Sequence, residues 1–200
     1  DRDAVRAVAE QIDSEPVASR QVFVTNQGTD AHLQSGSLGE LRDGHAYCVP
    51  ATVAGEPETR EGGHVFLDLA DNEDRIQAAA FEPTKRFRDR VRALRPGDRI
   101  TACGEVSDST LKLEKFALCD RVETELATPD CPDCGRSMES AGADAGYRCR
   151  GCSTTAPGKV QQQLDRDIET GWYEVPPVAR RHIAKPLVRG GFDAPTHPER

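Results

Sequence analysis

Two Cys-x-x-Cys pairs, Cys131-Pro-Asp-Cys134 and Cys149-Arg-Gly-Cys152, stand fourteen residues apart. That spacing places four thiolates tetrahedrally around one metal ion, and zinc is the ion such a set holds most commonly. Each pair makes a tight turn, with Gly135 and Gly151 supplying backbone freedom where the chain curls round the metal. The intervening residues, Arg136 to Tyr147, suffice for a short hairpin. The competing reading is a pair of disulfides, but no secretion signal accompanies the cysteines. With four protein thiolates and no open position for water, a zinc ion here is structural.

The elements that must carry such a site are lean. Of 200 residues, 36% are hydrophobic and 30% charged, so a metal staple contributes materially to folding. Cys48, Cys103 and Cys119 lie among strand-like residues and read as buried free thiols. There is no apolar run long enough to span a bilayer and no signal peptide, which points to a reducing, cytoplasmic setting. The formal charge is −8, with five Lys against twenty-one Arg. An acidic, lysine-poor surface suits a high-salt cytoplasm, so net charge does not exclude a nucleic-acid partner. The chain begins at Asp1 without methionine, as a piece of a longer polypeptide would.

Ahead of the cysteines the pattern is strand-rich. Residues 46–53, 64–69, 75–81, 99–106 and 110–118 read as five strands, the second and third joined by a turn at Asp71–Asp74. A helix over 84–94 has Phe87, Val91 and Leu94 on one face and Thr84 as its N-cap. Five strands with a helix between the third and fourth is the order of an OB-fold barrel. The predicted fold is therefore mainly β, a five-stranded OB-fold barrel followed by a four-cysteine zinc ribbon and a basic C-terminal tail. The expected partition is 1–37 as the end of an upstream domain, 38–125 as the barrel, 126–156 as the ribbon and 157–200 as the extension. Residues 1–13 read as a helix bearing Val5, Val8, Ala9 and Ile12. Residues 21–25 read as a short strand, 124–130 as a linker and 154–159 as a loop. The tail reads as separate, with a short helix from Val178 ending before Pro186.

Two basic clusters interrupt the acidic background. Lys85, Arg86, Arg88, Arg90, Arg92, Arg95 and Arg99 lie on and after the barrel helix, where a solvated face with local ion pairs is the plainer reading. Arg180, Arg181, His182, Lys185 and Arg189 lie in a tail with no acid between Val175 and Phe192. Both clusters could track a phosphate backbone. Stacking candidates are Tyr47, Phe66 and Phe81 on the first three strands, with Tyr147, Trp172 and Tyr173 further on. OB barrels stack bases on the face of their second and third strands, but the face of each aromatic is left open at this point. The string Asn26-Gln27-Gly28-Thr29-Asp30-Ala31-His32 is either a hydrogen-bonded turn or a ligand-contacting loop. No nucleophile-and-base pair, phosphate-cradling loop or helical carboxylate pair is present, so the chain reads as a binding module.

Several segments are idiosyncratic enough to carry a resemblance: Phe23 to Leu33, Gly62 to Val65, Ala80 to Arg88, the four-cysteine ribbon, and Tyr173 to Leu187. Together, from about Gln21 to Arg189, they resemble the C-terminal half of the archaeal tRNA-isoleucine 2-agmatinylcytidine synthetases. The resemblance implies an OB-fold and zinc ribbon that bind the anticodon arm of isoleucine tRNA. It places ATP and agmatine with a kinase-like catalytic domain of the full-length enzyme, supplied upstream in cis or in trans and without counterpart here. It also implies a ferredoxin-like remnant before about Ser37, and a haloarchaeal relationship agrees with the Arg-rich, acidic composition. Two other classes fit parts of the pattern. A single-stranded DNA-binding protein like archaeal replication protein A combines OB-folds with a zinc motif, and a rubredoxin-type electron carrier would place iron at Cys-Pro-Asp-Cys-Gly.

Overall fold

In the computed structural model, which describes residues 1–13, 15–142 and 145–199, the chain opens with helix α1 (Arg2–Glu10), capped by the Asp1 carboxylate. Its apolar residues Val5 and Val8 face solvent, as do Ile12 beyond its end and Phe23 and Val24 further on. The run 21–25, expected as a strand, has none, because no neighbouring strand pairs with it among the described residues. Strand β1 (Leu33–Ser35) then runs parallel to β2 (Ala46–Val53).

The barrel follows as β2, β3 (Glu58–Thr59), β4 (Val65–Asp71), β5 (Asp74–Ala80), α2 (Phe87–Arg92), β6 (Arg99–Ser107) and β7 (Thr110–Asp120). Strand β2 pairs with β4, β4 with β5, β5 in parallel with β7, β7 with β6, and β6 with β2, so the sheet closes on itself. Short β3 lies against β4. Period-two alternation aims Tyr47, Val49, Ala51 and Val53 of β2 and Val65, Leu67 and Leu69 of β4 inward. Phe87, Val91 and Leu94 from α2 and its end plug the same cluster. The helix is shorter than the pattern suggested. Thr84 lies instead in a 3-10 turn (Glu82–Thr84), where its hydroxyl donates to Phe81 O at 2.7 Å, and the N-cap falls at Arg86.

Along β7 the inward residues change parity, from Leu111 and Leu113 to Phe116 and Leu118. The cause is a bulge at Glu114: Gly104 pairs with Leu113 while Cys103 pairs with Lys115. Gly104 is required opposite the bulge, since a Cβ there would sit 2.1 Å from the Lys112 carbonyl oxygen.

Beyond the barrel, β8 (Thr124–Ala127) pairs with β12 (Val160–Gln163) to form an exposed two-stranded stalk, where a linker was expected over 124–130. At its far end β9 (Glu139–Ser140), β10 (Tyr147–Arg148) and β11 (Thr155–Ala156) form the ribbon's small sheet, including the expected hairpin. The extension is not separate. Strand β13 (Gly171–Glu174) pairs antiparallel with β7 and is buried throughout, and β14 (Thr196–His197) runs parallel to β13. Residues 178–186 form turns rather than a helix.

The extension also covers part of the outer barrel wall, where Cys103, Ala117, Trp172 and Leu187 form a second cluster. Beneath it Cys48 and Cys103, expected as free thiols, are joined as a disulfide. They are facing residues on neighbouring antiparallel strands, with Cα atoms 4.1 Å apart. Cys119, expected buried, is exposed at the end of β7.

Candidate nucleic-acid interface and metal centre

Because Val65, Leu67 and Leu69 take the interior, Phe66 must face outward, and Phe81 follows Ala80 onto the same outer side. Their rings meet edge-on at 6.3 Å, and the His64 ring packs on Phe81 at 5.2 Å. Arg60 stacks over Phe66 at 4.0 Å, and Lys112 Nζ lies 5.9 Å from the Phe81 ring centre. His64 Nδ1 accepts a hydrogen bond from Glu82 N–H at 3.0 Å, which places the ring proton of a neutral imidazole on Nε2. Gln77 accepts from Arg60 and donates to Asp68 across the same surface. Two aromatic rings, flanking cations and fixed hydrogen-bonding groups on and beside β4 and β5 are what stacking and backbone tracking of a single strand require.

Of the sequence candidates, Phe66 and Phe81 come together here, whereas Tyr47 does not. It is 6% exposed and packs in the barrel interior. Arg60, His64 and Lys112 were not singled out as contacts. Alternation alone puts His64 and Lys112 on the outer face, but Arg60 arrives through short β3, which the sequence pattern does not announce.

Most of the helix cluster is held in ion pairs. Lys85 and Arg88 pair with Glu82, Arg86 with Glu199, Arg92 with Asp89 and Arg95 with Glu56. Arg88 also donates to the Gly63 carbonyl beside the aromatic pair. Lys85 and Arg86 remain largely exposed beyond their ion pairs, so they can exchange an acid for a phosphate at small loss.

A second meeting place is the β7 bulge. It turns Glu114 and Lys115 to the outside of the barrel, where the extension buries them. The Lys115 side chain, 2% exposed, donates from Nζ to Asp30 Oδ1 at 2.6 Å, and Lys185 N–H donates to the same oxygen at 2.8 Å. Burial pushes the Lys115 ammonium down, with Asp30 opposing the shift. Thr29 donates to Asn26 O at 2.5 Å and accepts from Ala31 N–H, and Gly28 N–H donates to His182 O at 2.6 Å. Thus Thr29 and Asp30 hold the 26–32 loop in shape. Asn26 and Gln27 are exposed at its tip, while the His32 ring packs edge-on to His182 at 5.2 Å.

The tail's two adjacent arginines are paired, one by the acid just ahead of the run and the other by acids of the barrel. Arg180 pairs with Glu174 at 2.8 Å, and Arg181 with Glu105 and Glu114. His182 stays exposed and Lys185 half-buried over the Phe192 ring. Trp172 and Tyr173 are buried by β13, and Tyr147 packs against the ribbon's cysteines.

In the ribbon, the sulfurs of Cys131, Cys134, Cys149 and Cys152 all lie within 4.8 Å of one another. The Thr154 hydroxyl and backbone hold the Cys152 thiol down to about 6, and backbone N–H groups of Cys152 and Gly151 hold Cys149 below its ordinary value. At Cys134 a backbone N–H of Arg136 pulls downward, yet the neighbouring thiols outweigh it and push the group up to about 12. Four thiolates this close repel, and a divalent cation is what allows all of them to ionise. The donor set fits a tetrahedral thiophilic metal.

A closed OB barrel with an outward aromatic pair, carrying a four-cysteine ribbon on a stalk, defines a nucleic-acid-binding OB and zinc-ribbon architecture. A family model described as the TiaS C-terminal zinc ribbon domain matches residues 128–168, and one described as an OB-fold nucleic acid binding domain, tRNA_anti-codon, matches 51–123. The isoleucine-tRNA 2-agmatinylcytidine synthetase TiaS of Haloquadratum walsbyi is 48% identical, over 98% of this chain and 51% of its own length. That of Methanosarcina mazei is 47% identical, over 92% and 44%. The crystal structure of apo TiaS superposes with a TM-score of 0.75 at 40% identity, covering 98% of this chain and 47% of that one. The crystal structure of TiaS in complex with its isoleucine tRNA and ATP superposes at 0.80 and 39% identity, covering 100% and 47%. The chain belongs to the TiaS family and spans about half the length of the curated relatives it matches, corresponding to their C-terminal half.

Proposed function

We propose that this chain is the RNA-gripping part of a cytoplasmic, ATP-dependent ligase that joins agmatine to the wobble cytidine of isoleucine tRNA. The observation that carries the reading is the outward Phe66–Phe81 pair, flanked by Arg60, His64 and Lys112, on a barrel whose sequence is shared with the synthetases. In this reading the barrel (38–125) and ribbon (126–156) hold the anticodon arm, and the extension (157–200) locks the barrel wall. Residues 1–37 lead to the catalytic part, which handles ATP and agmatine. The exposed apolar residues of α1 and of 17–24 suit packing against that part. Stacking on Phe66 and Phe81 favours bases already splayed from the anticodon loop, which a reaction at the cytidine ring also demands.

Zinc in the four-cysteine site is structural and keeps the ribbon folded. Within the extension, His182 and Lys185 are the groups left for RNA, because Arg180 and Arg181 are engaged by buried acids. Asn26 and Gln27 form the tip of a loop bordering the catalytic part, and His32 packs against His182 beside it. The test is a titration of the zinc-loaded chain with the isoleucine anticodon stem-loop and with poly-dT. Preference for the stem-loop supports the proposal. Equal affinity for poly-dT would instead favour a single-stranded DNA-binding role, and an iron-type visible spectrum would favour electron transfer.

A further inference from the structure

Strands β8 and β12 connect the ribbon to the barrel, and nearly all their residues are exposed. A two-stranded ladder of this kind has no core of its own, so the ribbon's direction has to be set at the base of the stalk. There, Asp98 is 0% exposed in the turn entering β6, and the Arg166 side chain, just past β12, is 4% exposed. The two Asp98 oxygens accept from both terminal nitrogens of Arg166 at 2.6 and 2.7 Å, a forked arrangement that fixes angle as well as distance. Asp98 also accepts from Arg95 N–H at 2.8 Å and Val122 N–H at 2.9 Å, while Arg166 donates to Ala93 O at 2.8 Å and Val122 O at 3.0 Å.

Val122 lies just before β8 and Arg166 just after β12. One buried ion pair therefore grips both rails of the stalk and ties them to the turn between α2 and β6. We infer that Asp98 and Arg166 form the joint that sets the ribbon's angle to the barrel, so that one RNA meets both at once. The inference rests on the RNA-binding reading above.

Two ligand-binding bodies held at a fixed separation gain affinity because the second contact is intramolecular. Arg166 is on this account a positioning residue that touches no RNA itself. The experiment uses residual dipolar couplings on the zinc-loaded chain, wild type against Arg166→Met. A second variant, Asp98→Asn with Arg166→Met, removes both charges and so leaves no bare carboxylate to unfold the barrel.

In wild type, barrel and ribbon should fit one alignment tensor. In the variants, both should keep their native amide patterns and zinc but fit separate tensors. Affinity for the anticodon stem-loop should fall by about tenfold to hundredfold, with little change for a short oligonucleotide that reaches the barrel alone. One shared tensor in both variants would overturn the inference, as would separate tensors with unchanged stem-loop affinity. If wild type fails to bind the stem-loop, it is the RNA-binding reading that falls. The tensors still decide whether the pair is the joint.

Discussion

The barrel encloses an apolar cluster drawn from all five strands and α2, whereas the ribbon's cluster consists of Met138 with two of its own cysteines. The first is held by burial and by a closed ladder of strands. Among the described residues the second has three strands of two residues each and a single small buried cluster. Two neighbouring units of one chain thus rely on different physics, and conditions that dissolve one should spare the other.

Metal removal is the strongest way to break that comparison. Structural zinc supplies about 10–16 kcal/mol of apparent binding free energy in small domains. Chelation, or Cys131→Ser, should therefore collapse the ribbon's NMR dispersion and abolish a stoichiometry of one zinc per chain. The barrel's unfolding transition should survive. A ribbon that stays dispersed without metal would show the contrast to be false. The reciprocal experiment is Leu67→Ala, at a fully buried barrel position. It should cost about 2–5 kcal/mol in denaturant unfolding while native zinc content stays constant.

Phe66→Ala sharpens the comparison between the two faces of one strand. It should weaken stem-loop binding by about 1–3 kcal/mol per stacked base, yet lower barrel stability less than Leu67→Ala does. Smallest is a pH effect under the extension. Burial raises the Glu174 carboxyl above its ordinary value, although the Leu187 N–H and Arg180 pull it down. This group's contribution is thus greatest below the ordinary carboxylate range and declines as pH rises through the raised value. The stability of Glu174→Gln relative to wild type should accordingly rise over that interval, measured by denaturant unfolding across a pH series. A flat difference would remove Glu174 from the account.

Much of the barrel was legible because alternation and turn chemistry are local. The parity change between Leu113 and Phe116 even marks the bulge before any pairing is known. The same alternation, taken further, separates Tyr47 from Phe66: Tyr47 shares a face with Val49 and Val53, and Phe66 shares one with Asp68. The stalk was not legible, since Val160-Gln-Gln-Gln163 has no β-like pattern and its partner is more than thirty residues away. The tail's charge was misleading for a similar reason. The acids that meet Arg181 are 76 and 67 residues earlier in the chain, beyond any window that weighs local composition. At the metal site the four ligands were legible from spacing, but the hydrogen bonds from Thr154 and the backbone that favour thiolates were not.

Strand β13 returns to the barrel after the ribbon is complete, so in chain topology the ribbon is an insertion inside another domain. Its two ends, Ala127 and Val160, are facing partners on the stalk. A two-residue Asn-Gly turn joining them would make an ordinary β-hairpin. Excision at that point should therefore leave a continuous chain in which β7 still receives β13. Cutting after β8 would instead strip β7 of a neighbour and uncover the charged bulge. The same topology delays completion of the barrel wall during synthesis, because β13 follows every residue of the ribbon.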